Sequence, residues 1–265
     1  MKKHIFTAAA LALLTACGTT GTAPGAAPCT TKTDETATTP LLYSARAGDT
    51  QNVRCLLASG SNINAADDNG STALMFAASN GHAAIVQNLL DKGAQVGAAN
   101  KDGVTALSTA AFKGHTDIAR QLIGKGAQLH ATDKNGMTVL MIAAYTGHTD
   151  TARLLIASGA NVNATVPGGK NADLTALMFA AMNGHTDTAS LLIEKGANVN
   201  AATNKGLTAL MVAANEGHTD TARLLLASGA NPGSVAKGGD TALSIAQKAG
   251  HTAIAQMLRA AGAKK

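Results

Sequence analysis

Six histidines each follow a glycine, at Gly81-His82, Gly114-His115, Gly147-His148, Gly184-His185, Gly217-His218 and Gly250-His251. Histidine moves protons near neutral pH and is the commonest metal ligand, so a bank of general bases or a metal centre is the first chemistry to weigh. Four of the six have an acid two residues on: Asp117, Asp150, Asp187 and Asp220. Gly168-Gly169-Lys170 has the residue types of a phosphate-binding loop. Spacing argues against all of these. The histidines recur at steps of 33, 33, 37, 33 and 33 residues. Equivalent atoms of neighbouring helical repeats lie roughly 10 Å apart, whereas zinc ligands sit about 2 Å from one shared metal. Gly168-Gly169-Lys170 lacks the upstream glycine of a P-loop and any following Ser or Thr. No Gly-x-Ser-x-Gly elbow occurs. The histidines read as turn residues and the aspartates as helix starts, so no catalytic residue, metal ligand or cofactor is assigned.

The period itself is the dominant feature. One step before Gly81 stands Gly48-Asp49, which makes seven repeats. A fixed period of this length signals a solenoid of stacked supersecondary units. The repeat from Asp133 to Thr165 shows how one is built. Asp-x-x-Gly makes a tight turn, and Thr138 caps the first helix. Leu140, Ala143 and Ala144 give that helix a narrow apolar face, and Gly147 ends it. Thr149-Asp150 begins a second helix with core residues Ala152, Leu154, Leu155 and Ile156, which Gly159 stops. Asn161-Val162-Asn163 is expected to be extended and to lead into the next turn. Aromatic residues are 2% of the chain and Trp is absent, so the core must be Ala and Leu, which suits closely stacked helices.

These residues resemble the ankyrin repeat from 38 to 265. The family pattern, D-x-x-G-x-T-P-L-H-x-A-A-x-x-G-H followed by L-L-x-x-G-A-x-x-N, is matched in all seven repeats. The resemblance implies an all-α ankyrin-repeat solenoid with short β-hairpin fingers, its repeats lying near 38–66, 67–99, 100–132, 133–165, 166–202, 203–235 and 236–265. Thr-Pro-Leu-His becomes Thr-Ala-Leu-Met at Thr72–Met75, Thr175–Met178 and Thr208–Met211, so Met packing replaces the usual Thr-to-His bond there.

Shared residues build such a fold, and residues that vary between repeats are free to carry specificity. Two residues before the repeated glycine stand Arg46, Ser79, Phe112, Tyr145, Met182, Asn215 and Lys248; ten before it stand Thr38, Ser71, Val104, Met137, Leu174, Leu207 and Asp240. Both columns are polar at the ends and apolar in the middle. In ankyrin proteins these columns face the concave groove. The resemblance therefore implies an apolar protein-binding strip of Val104, Phe112, Met137, Tyr145, Leu174, Met182 and Leu207, with Lys113 beside it. The competing reading is that these side chains fold over neighbouring helices and extend the core. Phe76, Phe179 and Tyr43 occupy other positions, expected to be buried. The 37-residue step places four extra residues near Thr165 to Asp173, where Asp173 replaces a turn glycine. This insertion either lengthens a finger on the binding face or is neutral change at an exposed tip.

The chain opens with Lys2-Lys3 and a short apolar run from Ile5 to Ala16, too short for the roughly 20 residues of a membrane span. Leu14-Thr15-Ala16-Cys17 resembles the bacterial lipoprotein lipobox. This implies a signal peptide over 1–16, cleavage before Cys17 and a diacylglycerol on its sulfur. Gly18 would then favour the outer membrane over the inner. Residues 17–37 are rich in Thr, Gly, Ala and Pro and read as a linker. Some 20 such residues reach roughly 25 Å. Cys29 and Cys55 remain. In an oxidising envelope they form a disulfide; otherwise Cys55 is a small half-buried thiol. The formal charge of +5 is mild, no basic cluster stands on one stretch, and nucleic acid is not expected as a partner.

The expected function is non-catalytic protein binding, by a monomer, from a lipid-anchored, periplasm-facing position. The partner would be an envelope enzyme or toxin that the protein inhibits, or a periplasmic partner in oxidative-stress defence that it scaffolds. Membrane contact would come through the lipid alone. Changing Cys17→Ala is expected to leave an unanchored precursor. Membrane fractionation that still recovers the variant firmly bound would contradict the lipobox reading.

Overall fold

The computed structural model describes residues 29–33, 39–168 and 173–263. The signal segment, Cys17, the linker apart from 29–33, and 169–172 of the insertion lie outside the described residues. Among those described, fourteen helices come in seven pairs. The inner member of each pair is α1 (Pro40–Ala47), α3 (Ala73–Ser79), α5 (Ala106–Lys113), α7 (Val139–Thr146), α9 (Ala176–Met182), α11 (Ala209–Glu216) or α13 (Ala242–Lys248). The outer member is α2 (Thr50–Ala58), α4 (Ala83–Asp91), α6 (Thr116–Gly124), α8 (Thr149–Ala157), α10 (Thr186–Glu194), α12 (Thr219–Ala227) or α14 (Thr252–Ala260). The chain divides into two compact units, 1–95 and 96–265.

Every inner helix begins at a threonine in extended conformation whose hydroxyl accepts the backbone N–H three residues on; Thr138 does so from Met141. Alanine pairs such as Ala143-Ala144 and Ala180-Ala181 are fully buried and let the next inner helix approach without a side chain between. Met75, Met178 and Met211 are buried at 3%, 0% and 1% exposure, so thioethers fill the positions where the family carries histidine. On α8, Ala152 and Leu155 are fully buried, while Leu154 and Ile156 are only half-buried. In the second unit the inner helices stack in the order α5, α7, α9, α11, α13 and the outer ones in the order α6, α8, α10, α12, α14. In the first unit α1 packs on α3 and α2 on α4. Each repeat thus buries its apolar faces mainly on its neighbours, the condition for nearest-neighbour stability.

Two expectations change in detail. Asn161-Val162-Asn163 is a turn, not an extended segment: the Asn161 carboxamide accepts from Asn163 N at 3.0 Å. That turn frees Asn163 to stitch repeats together. Its Nδ2 donates to Gly196 O at 3.0 Å and its Oδ1 accepts from Asn198 N at 2.8 Å. Asn200 does the same toward Gly229 and Asn231. The fingers hold one isolated antiparallel bridge each, such as Thr132↔Thr138, rather than a hairpin ladder.

The outer helices are stitched by threonines. The hydroxyls of Thr116 and Thr151 lie 2.8 Å apart, Thr149 and Thr188 2.7 Å, Thr186 and Thr221 2.8 Å. The second partner in each pair is fully buried and needs that bond. In α2 the equivalent third position is Asn52, 7% exposed. There the segment 29–33 takes the place of a preceding repeat. Asn52 Oδ1 accepts from Thr30 N at 2.8 Å, and its Nδ2 donates to Thr30 O at 2.9 Å and Ser44 Oγ at 2.7 Å. Cys29 and Cys55 close this strap as a disulfide, with Cα atoms 5.6 Å apart.

Closing a loop across the 26-residue separation of these cysteines stabilises a fold by about 3 kcal/mol in the chain-entropy account. Reduction, or Cys29→Ser with Cys55→Ser, should lower the unfolding midpoint and speed hydrogen exchange first in α1 and α2. Equal exchange in oxidised and reduced protein would show the strap to be idle.

Candidate functional site

Five of the six Gly-His histidines are spent on holding repeats together. His185 Nε2–H donates to Tyr145 O, His148 to Phe112 O, His218 to Met182 O, His251 to Asn215 O and His82 to Arg46 O, each at 3.1 Å. A carbonyl can only accept, so Nε2 must carry the proton. Each ring lies directly over the repeated glycine of the preceding repeat. A Cβ at Gly147 would come within 2.5 Å of the His185 ring, and one at Gly114 within 2.5 Å of His148. Gly147 also has φ +75 as the left-handed cap of α7. Two independent constraints therefore require glycine. A hollow lined by Thr149, His185, Thr186, Asp187 and Thr188 collects the residue types of a catalytic triad. Its His185 ring holds Tyr145 O and its Thr149 hydroxyl holds Thr188. Among the described residues no group of three or more His, Cys, Asp or Glu could hold a metal.

The residues whose carbonyls these histidines grip include Phe112, Tyr145 and Met182, the helix column of the apolar strip. The strip lies wholly in the second compact unit. Tyr145 is 38% exposed; Val235, not one of the strip residues, is 59% exposed. Val104, Phe112, Met137, Met182 and Leu207 are half-buried. Leu174 corrects the expectation: at 8% exposure it belongs to the core. The face is therefore a row of apolar edges rather than free side chains. Val104, Phe112, Met137, Met182 and Leu207 each cover core while showing one side. Phe179 on α9 is buried, as expected, whereas Phe76 and Tyr43 are half-buried. Phe179 meets the Tyr145 ring edge to face, centroids 6.2 Å apart and planes at 80°. It supports Tyr145 from one repeat further on, a role the columns could not reveal because Phe179 lies outside them. Lys113, exposed, holds its ammonium 5.6 Å from the Phe112 ring.

The finger column is held by its own turns. Val104 N donates to Asn100 Oδ1 at 2.9 Å, Met137 N to Asp133 Oδ1 at 2.9 Å and Leu207 N to Thr203 Oγ1 at 3.1 Å. In the inserted repeat Asp173 takes the turn glycine's place with φ +66, the one non-glycine positive φ among the described residues. Its carboxylate accepts from Asn204 N at 3.0 Å. Elsewhere a backbone carbonyl does this, as Asp102 O does for Lys134 N at 2.8 Å. The strip ends at the last repeat, where the two columns pair with each other. Lys248 Nζ lies 2.5 Å from Asp240 Oδ1, and Ser244 Oγ donates to the same oxygen at 3.0 Å. The hydrogen bond from Lys248, then that from Ser244, lowers the Asp240 pKa below its ordinary value.

The family model for ankyrin repeats (three copies) matches residues 9–100, 96–166 and 166–236. The crystal structure of the human ASB11 ankyrin repeat domain is 27% identical and superposes with a TM-score of 0.77, over 86% of this chain and 99% of that one. No curated protein matches the chain significantly.

The ring-over-glycine contact gives a differential test. Gly147→Ala should destabilise by about 2–4 kcal/mol, the left-handed strain plus displacement of the His185 ring. At Gly159 φ is +99 but a Cβ would meet nothing within 4 Å, so Gly159→Ala should cost only about 1–2 kcal/mol. Equal losses in urea unfolding would show that the ring contact contributes nothing.

Proposed function

The chain belongs to the ankyrin-repeat family, and on that footing we propose that it is a non-catalytic protein-binding module held at a bacterial envelope by a lipid on Cys17. Its partner binds on the strip between Val104 and Leu207. The fold is typical of protein–protein interaction modules. The observation that carries the reading is the state of Tyr145. It is the one large apolar side chain of the strip that is clearly exposed, its carbonyl is gripped by His185, and its ring is steadied by Phe179. An exposed tyrosine ordered before the partner arrives, among half-exposed Phe and Met, has the character of a binding hot spot. In the triad-like hollow the His185 ring and the Thr149 hydroxyl are occupied in inter-repeat bonds.

Envelope placement is supported by the lipobox resemblance at Leu14-Thr15-Ala16-Cys17 and by a disulfide that persists in an oxidising compartment. Gly18 favours the outer membrane. From that position the module inhibits an envelope enzyme or an incoming toxin. The scaffold alternative has the same contact surface and differs in consequence: a tight 1:1 complex silences the partner in the first case and leaves it active in the second.

Photo-crosslinking in living cells from a benzophenone side chain at position 137 should capture the partner. Adding Phe112→Ala and Tyr145→Ala should remove that product while circular dichroism stays unchanged. An undiminished crosslink in the double variant would sink the assignment of the strip.

A further inference from the structure

We infer that the strap is a processing site and that the disulfide makes the module's attachment to its anchor double: release takes a proteolytic cut after Lys32 together with reduction of Cys29–Cys55. This rests on the reading that Cys17 carries a lipid. Cys29 stands on the anchor side of the strap and Cys55 in α2, with Lys32 between them along the chain. All of these residues lie in the first compact unit. A chain cut between two cysteines that are bonded to each other stays one molecule until that bond opens.

The strap is the place to cut. Residues 29–33 belong to no helix, and Thr31, Lys32 and Thr33 are exposed. Thr30 is held by Asn52 through both its N–H and its C=O. Thr31, Lys32 and Thr33 make no hydrogen bond to the described residues. Nicking favours an exposed backbone that no hydrogen bond holds. The finger lysines are exposed as well, but they sit in closed turns. Asn100 N donates to Val104 O around Lys101, Asp133 N to Met137 O around Lys134, Thr203 N to Leu207 O around Lys205 and Ala236 N to Asp240 O around Lys237.

Hydrolysis adds water across the Lys32–Thr33 bond and leaves a carboxylate on Lys32 and an amine on Thr33. The anchor-side piece remains bonded through Cys29 to Cys55, and Thr30 still fills Asn52. A dithiol then closes into its own disulfide as it passes two electrons and two protons to the two sulfurs, and both become thiols. Only after both steps does the module leave the anchor, and it leaves without Thr30. The Asn52 carboxamide, 7% exposed, thereby loses two of its three hydrogen bonds. A buried polar group left unsatisfied is destabilising, so the released form is marked by faster hydrogen exchange in α1 and α2.

The test uses the full chain with a C-terminal tag and Lys170→Ala, which removes the basic residue of the insertion. Broken envelope membranes are treated with limiting trypsin, quenched with inhibitor, given dithiothreitol and sedimented without denaturant. The tag should stay in the pellet untreated, after trypsin alone and after dithiothreitol alone. It should move to the supernatant after both, on a fragment that mass spectrometry shows to begin at Thr33. Adding Cys29→Ser and Cys55→Ser should let trypsin alone release it, and adding Lys32→Ala should retain it under both treatments. Release of the parent by trypsin alone, or retention after both treatments, overturns the inference. A tag already in the supernatant of untreated membranes overturns the lipid reading instead. Gels of the soluble chain then decide the bridge: an anchor-side fragment that separates from the cut chain only on reduction supports it, and a chain uncut after Lys32 overturns it.

Discussion

A histidine ring laid over the glycine of the preceding repeat is the contact on which the rest depends. It explains in one stroke why Gly and His recur together. The glycine must adopt a left-handed cap to end the inner helix, and it must also have no Cβ because the next ring sits there. The ring then reaches past the glycine to the carbonyl two residues before it in the inner helix. That satisfies a helix-terminal acceptor that would otherwise need water. The outer-helix threonine pairs and the asparagines that follow the second helix add two further rows of the same kind. Stacking is therefore specified by hydrogen bonds at three levels, over a core of Ala, Leu and Met that by itself would not fix register.

The same contact sets the character of the binding face. Phe112, Tyr145 and Met182 present side chains to one face while the following repeat grips their carbonyls. A side chain mounted on a pinned backbone loses little freedom on binding, which favours affinity without added contacts. It also means that what lies on the face cannot be separated from how the repeats are joined. Phe179 shows this, being a core residue of one repeat and the support of an exposed ring in another.

The ends of the array are handled by substitution. At the beginning, the backbone of Thr30 meets Asn52 where an interior repeat would offer a threonine hydroxyl, and a disulfide makes that replacement covalent. At the other end Asp240 and Lys248 neutralise each other in the positions that are apolar further in. The insertion is accommodated in the same spirit, with the Asp173 carboxylate standing in for a backbone carbonyl.

The sequence alone determined the repeat, its helix pairs and their caps, because these follow from local conformation and from a fixed period. It also determined which columns vary. The tertiary structure decided what those columns expose. Leu174 and Tyr145 look alike as variable apolar positions, yet one is buried and the other projects, since exposure depends on what the adjacent repeat places against each. Asn161–Asn163 became a turn rather than an extended run because its amides are needed by the repeat that follows. The partners of the histidines were equally out of reach. Each joins atoms more than thirty residues apart, and spacing along the chain carries neither distance nor direction.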